Sequence, residues 1–355
     1  MADTYRVAHV GTGYTGAIAL RHVLRSPSLK LVGHLVNTPG KAGRDSGELV
    51  GCPATGVVAT ESLDELLALD ADCVTYFAAV SGREPGEIVD QLCAIAASGK
   101  NVVTPSYHPL FHPPSLDEMS REKLSAACEH GQSSIFATGI APGFATDLLG
   151  VHAASMSGFP TKITVAERIP CGSYSVPGFF AMLGFGRTPE EDAATYPRGS
   201  MATVFATPLR LLAEGIGQRI DEVEEHRDIA TATRDYQFDA GVIRAGTIAS
   251  VRMTFTGIVN GRPRLQFSSI WSMPDDPVED WPPTIPEGSS VRRLTRISID
   301  GDPRVEVDFA LYGDKLPGSA ATAARVVNAI PAVCAARPGV LSGLELVVTG
   351  QSATG

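Results

Sequence analysis

The first apolar run, residues 5–10, is short and rich in β-branched side chains. A glycine-rich turn at 11–16 separates it from an Ala/Ile/Leu-rich stretch at 17–24. A strand, a tight turn and a helix are the expected elements. Further apolar runs at 29–36, 57–59, 72–78, 101–104 and 134–137 predict strands. Between them, 63–69, 85–98 and 115–130 predict helices. In the second of these, Ile88, Leu92, Ile95 and Ala96 fall at helical spacing, and Ser98-Gly99 supplies a stop. Ser115, with Glu118 three residues on, predicts a capping box at the start of the third. Regular alternation of strands and helices predicts a parallel sheet covered on both faces, hence an N-terminal α/β Rossmann domain over residues 1–145.

Beyond residue 139 the pattern changes. Longer alternating runs at 162–169, 247–259, 265–273, 291–300 and 304–311 predict strands, with Asn260-Gly261 as a hairpin turn. One helix is expected at 201–216, and the Pro/Asp/Glu-rich stretch 274–288 reads as a surface loop. These features predict a second α+β domain with a mostly antiparallel sheet over 146–315. A C-terminal segment, 316–355, begins with a helix at 320–336 and is expected to return to the first domain.

Composition narrows the partners. At 355 residues and 44% hydrophobic content, no apolar run approaches the ~20 residues of a membrane span. The first residues lack a leader pattern. The six cysteines show no Cys-x-x-Cys pairing and read as reduced thiols. A cytoplasmic protein with no membrane partner is the expectation. A net charge of −10 argues against nucleic acid, leaving a small-molecule substrate.

The chemistry begins at Gly11-Thr-Gly-Tyr-Thr-Gly16. Gly11 suits the tight turn, Gly13 lets backbone approach a pyrophosphate, and Gly16 lets helix pack on strand. The phosphates would sit at the positive helix N-terminus. Expected cofactor-binding residues are Gly11, Thr12, Gly13, Tyr14, Thr15 and Gly16, with Asn37, Thr38 and Lys41 after the second strand. Ala78, Ala79, Thr104, Pro105 and Ser106 follow two later strands. NAD binders place an Asp or Glu at the end of the second strand for the ribose 2′-hydroxyl. Here that place holds Asn37-Thr38, with Lys41 and Arg44 close behind, so NADP(H) is favoured and NAD(H) is next. FAD is disfavoured.

With these residues in view, the chain resembles the dihydrodipicolinate-reductase-like superfamily, in particular its 2,4-diaminopentanoate dehydrogenase and native amine dehydrogenase branch. The resemblance rests on residues 10–16 and on Gly40-Lys-Ala-Gly-Arg-Asp-Ser-Gly-Glu-Leu49, Gly99-Lys-Asn-Val-Val-Thr104 and Ala141-Pro-Gly-Phe144. It extends to Val327-Asn-Ala-Ile-Pro331 and Arg337-Pro-Gly-Val340, spread in order over nearly the whole chain. It implies reduction of an imine or oxidation of an amine, and a homodimer formed through the second domain's sheet. The eight histidines include no adjacent pair, so the substrate site of dihydrodipicolinate reduction is absent.

One departure is specific. The branch carries a Glu shortly after the Gly-Lys-Asn-Val-Val strand, to activate ammonia or water. In this chain no carboxylate occurs from Thr104 until Asp117; Tyr107, or with a one-residue slip His108, stands at the matching place. A phenol or imidazole there is a candidate proton donor to a reduced carbonyl or imine. Without the Glu, an ammonia-independent carbonyl reductase and a non-catalytic dinucleotide-binding protein are the alternatives. Asp147 and Glu167 are candidates to replace it in space. Phe144, Tyr174 and Phe180 are the expected substrate pocket, while Arg168 and Arg198 read as surface charges. His108 and His112 share an i, i+4 spacing, but Pro109, Pro113 and Pro114 preclude a regular helix, and no metal is expected. No Gly-x-Ser-x-Gly elbow is present for a hydrolase.

Overall fold

The computed structural model describes residues 4–80, 82–172, 177–196, 199, 201–238, 241–273, 278, 280–286, 288–313 and 316–350. In chain order the elements are β1 (Tyr5–Val10), α1 (Tyr14–Arg25), β2 (Leu29–Leu35), α2 (Leu63–Ala68), β3 (Cys73–Tyr76), α3 (Pro85–Ala97), β4 (Asn101–Thr104), α4 (Glu118–Gly131) and β5 (Ser134–Ala137). Then come α5 (Leu148–Ala154), β6 (Gly158–Pro170), α6 (Pro177–Leu183), α7 (Pro189–Thr195), α8 (Ala202–Gly215), β7 (Glu222–Thr231), β8 (Tyr236–Phe238) and β9 (Gly241–Ile243). The chain continues through β10 (Ile248–Val259), β11 (Arg262–Ser272), β12 (Arg293–Asp302), β13 (Val305–Leu311), α9 (Pro317–Cys334) and β14 (Gly339–Leu341). Two compact units result, Met1–Phe144 with Ser319–Gly355, and Ala145–Gly318.

In the first unit a six-stranded sheet runs β14-β5-β4-β3-β1-β2, every pair parallel. Alternate residues of β1 serve opposite faces, as the two-residue period of a strand requires. Ala8 and Val10 pack with Ile88, Leu92 and Ile95 of α3 and Leu124 of α4. Val7 packs with Leu20 and Val23 of α1 and with Val326 and Ile330 of α9. The sheet is thus the parallel, doubly covered one expected, closed on one side by the C-terminal helix. Two local expectations are corrected. Residues 57–59 form no strand of the sheet: Thr60 and Val58 make isolated bridges to Leu35 and Asp45. The α4 cap is Asp117, whose carboxylate accepts from the Ser120 amide at 2.9 Å. Pro113-Pro114 holds Ser115 in a 3₁₀ turn, so the Ser115–Glu118 capping box does not form.

The second unit carries a mixed sheet, β13-β12-β6-β11-β10-β7, in which β6 and β11 are parallel and the other pairs antiparallel. Ile163, Val165, Phe255, Phe267 and Ile297 pack on one face with Leu209 and Leu212 of α8. Asn260 and Gly261, both at positive φ, make the expected β10–β11 turn. The expected loop at 274–288 lies partly outside the described residues. Within it Trp281 is buried rather than surface-exposed. Among the described residues no helix is long and apolar enough to cross a membrane.

Candidate active site

Because the strands of the first unit are parallel, the loops that follow β1 to β5 leave the sheet by one edge. Strand order reverses at β1, flanked by β2 and β3, and ligands of open α/β sheets bind outside such a switch point. The three glycines of the β1–α1 loop differ in their surroundings. Gly11 has φ +91°, and a Cβ on it would stand 2.6 Å from the Phe77 carbonyl oxygen. A Cβ on Gly16 would stand 2.5 Å from the Gly11 carbonyl oxygen. Both must be glycine for the turn to close. Gly13 has nothing within 4 Å of its missing Cβ. It caps α1 without a side-chain acceptor, and the first turn of that helix holds no acidic residue. The amides at this end of α1 are therefore left uncapped by any side chain, which suits a pyrophosphate. These residues fit a dinucleotide.

The loop is fixed from beneath. Gly11 donates its amide to the Leu35 carbonyl at 2.9 Å, and Phe77 donates to the Val10 carbonyl at 2.8 Å. His9, fully buried on β1, places Nε2 2.7 Å from the Gly11 carbonyl and Nδ1 2.8 Å from Thr75 Oγ1. A carbonyl only accepts, so His9 is the neutral Nε2–H tautomer and Thr75 donates to Nδ1. His34, also buried, contacts Ser46 Oγ through Nδ1 at 3.0 Å. Ser46 spends its proton on the Val57 carbonyl, so His34 Nδ1–H is the donor and its buried Nε2 keeps a lone pair without a hydrogen-bond partner. Burial, with His34 adding to it, pushes the His9 imidazole down to about 3. Burial and the Lys41 charge push His34 down to about 4. Both are neutral: His9 supports the glycine loop directly, and His34 packs beside it with ring centres 5.5 Å apart. Sequence reasoning missed this pair, although a histidine in each of two apolar strands was a visible signal.

On the rim, Asn37 and Thr38 are exposed at the end of β2. Lys41 reaches back over the glycine loop: Nζ donates to the Thr12 carbonyl at 3.1 Å and to Thr12 Oγ1 at 2.9 Å. Tyr14 is exposed, as are Arg44 and Ala79, whereas Ala78 is buried. After β4, Thr104 Oγ1 donates to the Tyr76 carbonyl at 2.9 Å and accepts from the Ser106 amide at 2.9 Å. Residues 104–106 therefore turn in a fixed place at the same edge as the glycine loop.

Tyr107 and His108 part company. Tyr107 is buried in the core cluster with Leu110, Phe111 and Leu116. Its hydroxyl bonds with Ser120 of α4, and burial raises its pKa, with the Asp117 charge adding to the effect. His108 is half-buried, 6.0 Å from the Phe111 ring, and burial holds its pKa below 6.5, so its neutral form dominates at pH 7. His112 meets Ser115 Oγ at 2.6 Å. Among the described residues no group of three or more His, Cys, Asp or Glu is arranged to hold a metal ion.

The proposed stand-ins for the Glu lie in the second unit, and both carboxylates are engaged. Glu167 is buried, accepts from Ser269 Oγ at 2.7 Å and pairs with Arg293. Asp147 is buried and accepts from the Leu148 amide at 2.6 Å at the start of α5. Arg168 is not a surface charge: it is buried, donates to the Pro283 carbonyl at 2.7 Å, and also binds the Val278 and Trp281 carbonyls and Ser272 Oγ. It holds the loop in which Trp281 is buried. Phe180 packs into the second unit's core, edge-on to Phe185 at 5.1 Å. Tyr174 and Arg198 lie outside the described residues. Phe144, the last residue of the first unit's leading segment, lies under the Arg325 guanidinium at 4.6 Å.

Comparison with known proteins agrees with this geometry. The family model for the 2,4-diaminopentanoate dehydrogenase C-terminal domain matches residues 161–353. An amine dehydrogenase of Streptomyces virginiae is 30% identical over 346 residues, covering 95% of this chain and 94% of that protein. A 2,4-diaminopentanoate dehydrogenase of Acetoanaerobium sticklandii is 25% identical over 265 residues, covering 73% of this chain and 70% of that protein. The solved structure of an amine dehydrogenase from Mycobacterium smegmatis superposes with a TM-score of 0.78 at 19% identity, over 98% of this chain and 97% of that one. With a glycine cradle suited to a dinucleotide, a family model over residues 161–353 and a relative matching 95% of its length, the chain belongs to the 2,4-diaminopentanoate dehydrogenase and amine dehydrogenase family of dinucleotide-dependent oxidoreductases.

Proposed function

We propose that this chain is an amine dehydrogenase-type enzyme that uses NADP(H) in preference to NAD(H) and acts on a small apolar carbonyl, imine or amine. The observation that carries the cofactor reading is the Lys41 ammonium bonded to Thr12 beside the open Gly13 cradle, with no carboxylate at Asn37 or Thr38. A 2′-phosphate needs a cation there and no acid. The bound nicotinamide supplies a hydride donor or acceptor. The chain's own residues cradle phosphate through the α1 amides, orient the carrier by the 104–106 turn, and move a proton at His108. Held neutral by burial, the His108 imidazole has a lone pair to take a proton in the oxidative direction and returns it in the reductive one. Tyr107, bonded to Ser120, serves as a wall. Phe144 lends the pocket an apolar surface.

An ammonia-independent carbonyl reductase is the second reading, favoured by the absence of any carboxylate between Thr104 and Asp117. NADPH oxidation with small apolar ketones and aldehydes, with and without ammonium at alkaline pH, separates the two. Turnover that requires ammonium is the expected result; turnover indifferent to it selects the carbonyl reductase. Cofactor binding without turnover makes the chain a dinucleotide-binding protein, and no cofactor binding overturns every version. The chain is also proposed to work as a homodimer, as the family resemblance implies. Light scattering that finds only a species near 37.3 kDa overturns that.

A further inference from the structure

The loop that leaves β5 is held by a helix from the far end of the chain. The Ile140 amide donates to Thr322 Oγ1 of α9 at 3.2 Å. Arg325, one turn further along α9, donates through Nε to Thr138 Oγ1 at 3.0 Å and to the Gly143 carbonyl at 3.1 Å. Its guanidinium carbon lies 4.6 Å from the Phe144 ring centre, within cation–π range. The loop is folded tightly on itself: Gly143 has φ +114°, and a Cβ there would stand 2.3 Å from the Gly139 amide nitrogen. Thr138 in turn donates its amide to the Thr104 carbonyl at 3.0 Å, tying this loop to the end of β4, where the turn leading to His108 begins.

Docking of α9 does not need this arginine. Ala323, Val326, Val327, Ala329, Ile330 and Val333 are buried against the sheet and supply the apolar contact. Arg325 instead places one N–H on both ends of the 138–143 loop and its planar face on Phe144, a geometry that a lysine's point charge does not reproduce. We propose that Arg325 is a positioning residue for the reaction: it sets the 138–144 loop, and through it the Phe144 ring, relative to the end of β4. This rests on the functional reading above. Arg325 acts through Phe144 and the loop backbone, and the glycine cradle after β1 lies on other strands. Removing it should therefore impair use of the carbonyl substrate while sparing NADPH binding.

Arg325→Gln and Arg325→Lys are compared with the wild type in NADPH affinity by fluorescence titration, in kcat and KM for the best carbonyl of the panel, and in amide hydrogen exchange of peptides covering 138–144. For Arg325→Gln we expect kcat/KM to fall about tenfold or more, NADPH affinity to stay within about twofold, and the Ile140 amide to exchange faster. Arg325→Lys, keeping the charge and one donor, should recover part of the loss. Unchanged kcat/KM overturns the proposal, as does an equal loss of NADPH affinity, which would mark a general structural role. If the wild type turns over no substrate, the functional reading fails by itself. Exchange at 138–144 then still decides whether Arg325 holds the loop, and unchanged exchange overturns that too.

Discussion

Acid should destabilise the first unit through His9 and His34 before its carboxylates titrate. Both imidazoles are buried and neutral, His9 pushed down to about 3 and His34 to about 4. In the unfolded chain each titrates near 6.5. Between those values the unfolded chain binds protons that the folded chain refuses, so the stability they contribute is fully present above pH ~6.5 and drains away as pH falls. A pH of 5 lies about 1.5 units below the unfolded value of each group. At about 1.4 kcal/mol per unit this is ~2 kcal/mol each, or ~4 kcal/mol for the pair. A total stability of roughly 5–15 kcal/mol makes that a large share. Asp72 and Asp117 are held below the usual carboxylate range by their bonded partners, so their losses come at more acid pH.

The assay is urea unfolding at pH 7 and pH 5 followed by far-UV circular dichroism, because both tryptophans, Trp271 and Trp281, lie in the second unit. His22 and His108 are shifted the same way and add to the wild-type slope, so the comparison is with variants. His34→Asn retains a donor where Nδ1–H meets Ser46, and His9→Gln retains one where Nε2–H meets Gly11. Each should cut the pH 7-to-5 loss by ~2 kcal/mol. A pH dependence identical to the wild type in both variants would refute the reasoning.

Three further outcomes follow from the site. Gly13→Val should leave the fold intact, since no atom lies within 4 Å of the new Cβ, yet abolish nucleotide binding by filling the cradle; unchanged affinity in a titration removes the loop from the site. Lys41→Glu should weaken NADPH by roughly 10- to 100-fold, the value of a charge-assisted hydrogen bond, and NADH much less. Equal losses would mean that Lys41 meets no 2′-phosphate. His108→Ala should cut kcat by roughly 10²-fold or more while Tyr107→Phe moves it little, and the reverse pattern would exchange their roles.

What the sequence made legible was local. The run from Tyr5 to Gly16 carries its own strand period, turn glycines and helix start, and the structure builds them there. The β7 strand escaped because Glu222–Thr231 is an edge strand whose charged positions mask the alternation. The start of α4 slipped by three residues because the Pro113-Pro114 turn, not the serine, decides where helix begins. Arg168 was misjudged as a surface charge, and the engagement of Glu167 went unseen, because their partners lie about a hundred or more residues away, at Ser269, Trp281, Pro283 and Arg293. A buried ion pair has no local signature; it exists only once the sheet register is set.

That last point bears on the chemistry. A carboxylate that replaced the family Glu would have to be free to exchange protons, and the two nominated from the sequence are committed elsewhere. Glu167 is paired with Arg293 and bonded by Ser269; freeing it would leave a buried guanidinium uncompensated, a cost of several kcal/mol. Asp147 is buried and bonds the first amide of α5. His108 carries no such commitment to an ion pair. It stands on the loop after β4, where the family resemblance implies an acid, and burial lowers its pKa, which favours the neutral, proton-accepting form. An imidazole in place of a carboxylate moves the working range. A Glu with an ordinary pKa near 4 is a base over all neutral pH, whereas His108 gains that capacity as pH rises through a value below 6.5. The oxidative direction should therefore lose rate on the acid side with a single ionisation that His108→Glu shifts downward. A rate flat through that range, or a profile that His108→Glu leaves unmoved, would assign the proton to another group.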